Sequence, residues 1–500
     1  MSAEPEAPHT VPATVTSLID GDSVGTDGPE LPVIYPASEE TVSVLREADA
    51  AEVDRAVAAA RRAFDAGPWP SLGVAARQDA LHAIRDTVAA HAEELAYLEC
   101  LNTGLPLHQL KARHMARAAF NFSFFAEVVG QDTGAVYTQN AAYLTLVTRE
   151  PVGVAALIAP WNAPVSLASM KIAAAIACGN TCVVKPSEQT PLSVARLVEL
   201  LHEAGLPPGV VNLVNGRGPV TGAALVEHPG VDLVSFTGGT ATGREIAAAA
   251  GRGLKPVTME LGGKSANVVF ASADLERALD GALLGIFTNN GQQCLAGSRI
   301  LVERAIADDF IARFVERAER VRVGDPMDPA TELGPLASRA HMERVLSYVD
   351  VARAEGAEFL TGGTRAEGFA RGFYVAPTAV RAPGNKTRVC QEEIFGPFAT
   401  FLTFDDEAEA YAIANDTAFG LVSYVWSDDM PTAMRATRAL KSGVVWVNTP
   451  MMRELRAPFG GVKASGVGRE GAQACLDFYT EAKTTTIPLE QVPLAKLGKP

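Results

Sequence analysis

A chain of 500 residues with 48% hydrophobic and 20% charged side chains is a globular protein too long for one core, and length over about 150 gives roughly three structural units. Its net charge of -15, with the acids scattered, argues against a nucleic-acid or anionic-membrane surface but not against an anionic substrate held by a local arginine. Six cysteines dispersed through the chain fit a reducing cytoplasm rather than a disulfide scaffold.

Met1 to Thr16 lacks a basic start followed by an apolar core, so no secretory signal is expected, and no apolar run is long enough to span a bilayer. Residues 1–20 read as a loose tail. Val53, Val57, Ala60 and Phe64 then repeat at helical spacing up to Gly67 and Pro68, and a second helix is expected from about Ala75 to Cys100, ended by Asn102, Thr103 and Gly104. From Pro151 the rhythm changes. Apolar strands (VGVAALIA, TCVVKP, VVNLV, VDLVSF, PVTMEL) alternate with helices such as Val165 to Ala177 and Pro191 to Ala204, which predicts a parallel, doubly wound sheet with a cofactor beyond the carboxyl ends of its strands. Cys178 and Cys182 sit at one helix-to-strand turn, but no second pair or histidine set completes a zinc site, so they read as core and no metal is expected. A second alternating series (SANVVF, SRILVE, FATFLTF, LVSYVW, GVVWVN) starts near Ser265 and predicts another α/β domain. A cleft between the two is the expected active site.

Cys294 lies in NNGQQCLAGS, a polar run with no neighbouring lysine, arginine or histidine, and Glu260 in MELGGKS has Gly262 and Gly263 close behind. A thiol nucleophile and a carboxylate base would use such residues. An inert packed thiol and a surface carboxylate at a strand end are the structural alternatives.

The ordered motifs PWNAP, VKPSE, SFTGGTATG, MELGGKS, GQQC, EEIFGP and FGGVKASGVGRE resemble the aldehyde dehydrogenase superfamily over nearly the whole chain after the tail. The resemblance implies that family's α/β fold: a Rossmann-like NAD-binding domain (21–132 and 152–262), an α/β catalytic domain (263–477) and a small β oligomerisation element (133–151 and 478–500). It implies a homodimer or homotetramer. It makes Cys294 the nucleophile that forms a thiohemiacetal, and it gives the oxyanion the side-chain amide of Asn162 and the Cys294 backbone N–H, donors often worth about 2.7–4 kcal/mol each. A helix cap is the structural alternative for Asn162. Glu260 becomes the base that hydrolyses the thioester, its pKa raised in a desolvated cleft, and Glu470 in SGVGRE an acid assisting proton relay.

The implied cofactor contacts are Trp161, Lys185, Ser187, Glu188, Thr237, Gly238, Gly243, Leu261, Glu393 and Phe395. Gly238 and Gly243 flank a turn entering a helix, where backbone N–H groups can hold pyrophosphate. Glu188 would accept from ribose hydroxyls and repel an added phosphate, which favours NAD over NADP. Many relatives carry Ser where Gly239 stands, a departure that adds local freedom.

TPMMRELRAPFGG, RHMARAAFNFSFFAE and NTGLPLHQ resemble the hydroxymuconic semialdehyde and carboxymethyl-hydroxymuconate semialdehyde dehydrogenases. Such substrates carry carboxylates, which arginine binds bidentately. Arg117 and Arg456 are the expected anchors, with Phe122 and Phe125 beside an apolar part of the substrate; structural ion pairs are the alternative for the arginines. Other readings are a betaine-like, amino-aldehyde or broad-specificity dehydrogenase, an acylating enzyme that passes the thioester to coenzyme A, a non-redox cysteine hydrolase and a silent binding protein. Relatives that pass the thioester to coenzyme A commonly lack the glutamate found here as Glu260, which favours release of a free acid.

Overall fold

The computed structural model describes residues 9–25 and 27–498. An eight-stranded sheet has five parallel strands at its centre, in the spatial order Val257–Glu260, Leu233–Thr237, Val154–Ile158, Thr181–Lys185 and Val211–Leu213. The first of these in the chain, Val154–Ile158, sits in the middle, so the winding direction reverses between it and Leu233–Thr237. At such a reversal the loops beyond the carboxyl ends diverge and leave a crevice. Each of these strands is almost wholly buried, because helices cover both faces.

A seven-stranded sheet forms the second α/β layer, with six parallel strands in the order Thr378–Arg381, Phe398–Phe404, Arg299–Glu303, Ala266–Val269, Val422–Trp426 and Val444–Val447. A three-stranded antiparallel sheet joins Ala135–Tyr137, Tyr143–Pro151 and Thr480–Pro488, the last with an open edge and exposed side chains. The helix Pro164–Ala177 runs through the main core and is buried along almost its whole length, which its many alanines allow.

Three expectations change. The loose tail expected over 1–20 does not extend through Thr14–Val15 and Ser17–Ile19: these are strands, since Val15, Leu18 and Ile19 supply apolar side chains that the core buries, while residues 1–8 lie outside the described ones. The helix expected over 75–100 is two helices, Val74–Ala90 and Ala92–Thr103, broken at His91, where the backbone leaves helical geometry (φ -103, ψ 16). The segment 466–477, expected within the catalytic unit, returns to the first sheet: Gly466–Val467 pairs antiparallel with Val257–Glu260, and Cys475 and Leu476 pack into the first core, as does Tyr479 just beyond. That return brings Glu470 beside the strand that carries Glu260, near Ser235 and Thr258. Among the described residues no helix is long and apolar enough to cross a membrane.

Candidate active site

Lys185, Thr237 and Glu260 are the last residues of three of four adjacent parallel strands, and Asn162 lies just beyond the fourth, Val154–Ile158, which runs between those of Thr237 and Lys185. Parallel register therefore delivers all four to one end of the sheet. Cys294 comes from the other sheet, in the loop between the helix Leu275–Phe287 and the strand Arg299–Glu303, so the catalytic layer contributes the amino end of its strands rather than the carboxyl end.

Between them lies a cavity of ≈330 Å³ lined by Trp161, Asn162, Thr237, Glu260, Leu261, Cys294, His341, Arg344, Glu393 and Phe395. It shares Trp161, Thr237 and Gly238 with a second cavity of ≈790 Å³, walled by Lys185, Ser187 and Glu188, so the two form one cleft. Gly243 does not reach it: the helix Thr240–Arg252 turns Gly243 onto Leu261, and a Cβ there would lie 2.4 Å from Leu261 Cδ2, so this glycine serves helix packing.

The Cys294 loop is held by two asparagines in left-handed backbone, Asn289 (φ 58) and Asn290 (φ 56), a conformation that asparagine tolerates better than most side chains. Asn289 Nδ2 donates to the carbonyls of Asn162 (2.8 Å) and Gln292 (2.9 Å), and Asn162 Nδ2 donates to the same Gln292 carbonyl (2.8 Å), leaving its second hydrogen free. Asn290 ties the loop to the Gly104 and Pro335 carbonyls. Burial pushes the Cys294 thiol up to about 12, the charges of Glu393 and Glu260 push the same way, and Arg453 opposes them. Burial thus favours the thiol over the thiolate.

Glu260 is buried, and its Oε1 has no hydrogen-bond partner. Burial raises its pKa well above the usual carboxylate range, and the charge of Glu470 adds to the effect against Lys171, Arg453 and Arg469. Space for the carboxylate comes from Gly460 (φ 151), whose added Cβ would stand 2.5 Å from Glu260 Oε1. Glu470 is equally buried, yet Lys171 and Arg453 outweigh that burial and hold it below the usual range. Lys171 Nζ donates to Glu470 Oε1 (3.0 Å) and to Ser235 Oγ (2.9 Å).

Arg453 lies 4.1 Å above the Phe459 ring and 3.5 Å from Glu470 Oε2, and its Nε and Nη2 are buried without hydrogen-bond partners. Burial, and with it the charge of nearby Arg453, pushes the Arg117 pKa down to about 10. Arg456 is not an inward anchor: its side chain is 77% exposed and closes bidentately on Glu454 (2.8 and 2.7 Å). Phe122 and Phe125 are also corrected, since both are buried in the first core, away from the cleft. Residues that the sequence reading passed over are Lys171, Asn289, His341 and Arg344. A lone lysine inside SLASMKIAAAIA was a signal, because a buried lysine must find a partner.

The aldehyde dehydrogenase family model matches residues 24–485. The chain belongs to the aldehyde dehydrogenase family. It is an oxidoreductase that acts on aldehydes with NAD as cofactor. It is 42% identical to the 2-hydroxymuconic semialdehyde dehydrogenase of Pseudomonas sp. (strain CF600) over 484 residues, which covers 95% of this chain and 99% of that one. It is 46% identical to the 5-carboxymethyl-2-hydroxymuconate semialdehyde dehydrogenase of Escherichia coli over 441 residues, 87% of this chain and 93% of the other. The solved betaine aldehyde dehydrogenase of Staphylococcus aureus, in complex with NAD+, superposes with a TM-score of 0.94 at 38% identity over 97% of each chain.

The cleft fits a dinucleotide by its own chemistry. Thr237 Oγ1 is buried in it without a partner. The helix Thr240–Arg252 begins there behind Gly239, beside which a Cβ would find open space, so its first amides are free for a phosphate. Because the Cys294 pKa is raised, alkylation of this aldehyde dehydrogenase by iodoacetamide without cofactor is expected to rise about tenfold per pH unit from pH 7 to 9. A plateau near pH 7 in stopped-time labelling followed by mass spectrometry would contradict the thiol assignment.

Proposed function

We propose that this enzyme oxidises a semialdehyde bearing a distal carboxylate to the corresponding acid, and that Arg453, with Arg117 beside it, receives that carboxylate. The observation that carries the reading is that two buried nitrogens of Arg453, Nε and Nη2, make no hydrogen bond, with Glu470 Oε2 3.5 Å away, while the Arg453 charge reaches Cys294 and Glu260 and acts to lower the pKa of both. A guanidinium left without hydrogen bonds in a buried site is costly, and a substrate carboxylate would satisfy it. The same two arginines disfavour a trimethylammonium aldehyde, which wants an aromatic cage rather than cations. The two semialdehyde dehydrogenase relatives support the reading.

In this mechanism Cys294 Sγ attacks the aldehyde carbon as its thiol proton passes to the Glu260 carboxylate across the same cavity and on to solvent, and the oxyanion is held by the free Asn162 Nδ2 hydrogen and the Cys294 N–H. NAD held by Lys185, Glu188, Thr237, Glu393 and Phe395 supplies the hydride acceptor when bound. Glu260 accepts the proton of a water that attacks the resulting thioester, and its raised pKa suits that task near neutral pH. Glu470, anchored by Lys171, keeps a fixed negative charge behind it. Product leaves as a free acid.

We further propose that the chain works in the cytoplasm as a homodimer or homotetramer. The open edge of Thr480–Pro488 and the exposed Val136, Tyr137, Ile487 and Leu489 on or beside that sheet offer a surface for a second copy.

Glu260→Gln is expected to give a burst of NADH near one per Cys294 and then slow turnover, and the wild-type deacylation rate should rise as pH climbs through the raised Glu260 pKa, a limb the variant loses. Normal steady-state turnover would take Glu260 out of the base role. Arg453→Ala should raise the KM for a carboxylated semialdehyde at least about tenfold while changing that for an uncharged aldehyde far less, and Arg456→Ala should do neither. Equal effects of Arg453→Ala on both substrates would reject the anchor. Sedimentation velocity should show a dimer or tetramer; a monomer at micromolar concentration would refute the assembly.

A further inference from the structure

One wall of the cleft is made of three rings. His341, in the first turn of the helix Arg339–Ala354, meets Trp161 with ring centroids 5.0 Å apart and Phe395 at 6.0 Å, and Trp161 meets Phe395 at 5.2 Å, each pair edge to face. Phe395 has φ 64, left-handed backbone that a bulky side chain rarely adopts and that persists only where its surroundings enforce it. Two side chains of one helix face grip this segment. His341 Nε2 donates to the Phe395 carbonyl at 2.6 Å, and Arg344 Nη2, three residues on, donates to the Glu393 carbonyl at 2.8 Å. On the inner side the Gly263 amide donates to Glu393 Oε1 at 3.0 Å.

A carbonyl can only accept, so the imidazole carries its proton on Nε2. Burial holds the His341 pKa down to about 4, with the Arg344 charge acting the same way against the Phe395 carbonyl, so the ring stays neutral at physiological pH. It therefore works as a shaped hydrogen-bond donor and not as a charge. Its neighbours Trp161 and Phe395 bring no second donor to that carbonyl.

We propose that His341 is a positioning residue for hydride transfer: its hydrogen bond to the Phe395 carbonyl holds the Phe395 ring and the Glu393 carboxylate where they bound the nicotinamide end of the cleft. The proposal rests on the reading of Glu393 and Phe395 as cofactor contacts and goes beyond it. It separates the donor from the ring, because a glutamine side chain can donate to the same carbonyl without an aromatic face, and a phenylalanine can pack without donating.

The test compares His341→Gln, His341→Phe and His341→Ala with wild type in steady-state kinetics on one aldehyde, varying NAD. His341→Phe and His341→Ala should raise the KM for NAD roughly tenfold or more, whereas His341→Gln should stay within about threefold of wild type. Cys294 alkylation without NAD should run at the wild-type rate in all three, which a general collapse of the site would not allow. Wild-type KM for NAD in His341→Phe, or His341→Gln as impaired as His341→Ala, overturns the clamp. Glu393→Gln distinguishes the two layers of the argument: if it raises the KM for NAD while His341→Phe leaves it unchanged, only the clamp fails, and if it has no effect, the cofactor reading beneath the clamp fails.

Discussion

Glu260 and Glu470 share one buried region, and the placement of two cations decides what each carboxylate can do. Lys171 and Arg453 both reach Glu470, so it remains ionised despite its burial. Glu260 has an unpartnered oxygen and feels the Glu470 charge, so its ionisation is disfavoured. Like charges in a poorly solvated site drive their pKa values apart, and the asymmetry produces a proton acceptor beside a fixed anion. Without Lys171 the difference between the two acids would shrink. Cys294 shares this region, and its pKa is raised chiefly by burial, with Glu393 and Glu260 acting the same way and Arg453 as the counterweight.

This arrangement needs three stretches of chain that are far apart in sequence. Glu260 ends a parallel strand, Lys171 sits inside a buried helix, and Glu470 arrives on the return segment that pairs with the Glu260 strand. Phe459 and Glu470 exchange backbone hydrogen bonds at 2.6 and 2.7 Å, which locks the loop bearing Arg453 to that segment. The catalytic sheet then supplies the sulfur through a loop held by Asn289 and Asn290, whose amides hold it to the Asn162, Gln292, Gly104 and Pro335 carbonyls. The reacting groups are thus held by backbone contacts of both layers, an arrangement suited to preorganised donors.

Substrate choice turns on orientation rather than on composition. Arg453 and Arg456 are three residues apart in one loop, and of the two the sequence pointed to Arg456 as the anchor. The loop turns Arg456 outward onto Glu454 and Arg453 inward onto Phe459. An exposed, saturated guanidinium contributes little to binding, while one whose Nε and Nη2 are buried without hydrogen bonds has donors left to give.

The strand-helix alternation, the parallel sheets and the sheet ends carrying Lys185, Thr237 and Glu260 were legible in the sequence, because apolar runs with a two-fold or helical period report local geometry directly. The motif order also marked Cys294 and Asn162. The course of 466–477 back to the first sheet, the inward turn of Arg453, the burial of Phe122 and Phe125 and the packing role of Gly243 were not. Each depends on which partner a residue meets after hundreds of intervening residues, and a side chain's charge, burial and rotamer follow from that encounter rather than from its neighbours in the chain. Local pattern determined the elements and the chemistry available; only tertiary packing decided which carboxylate lines the cleft, which arginine turns inward and which glycine packs against a neighbour instead, since the electrostatic cost of burial is set by everything within reach.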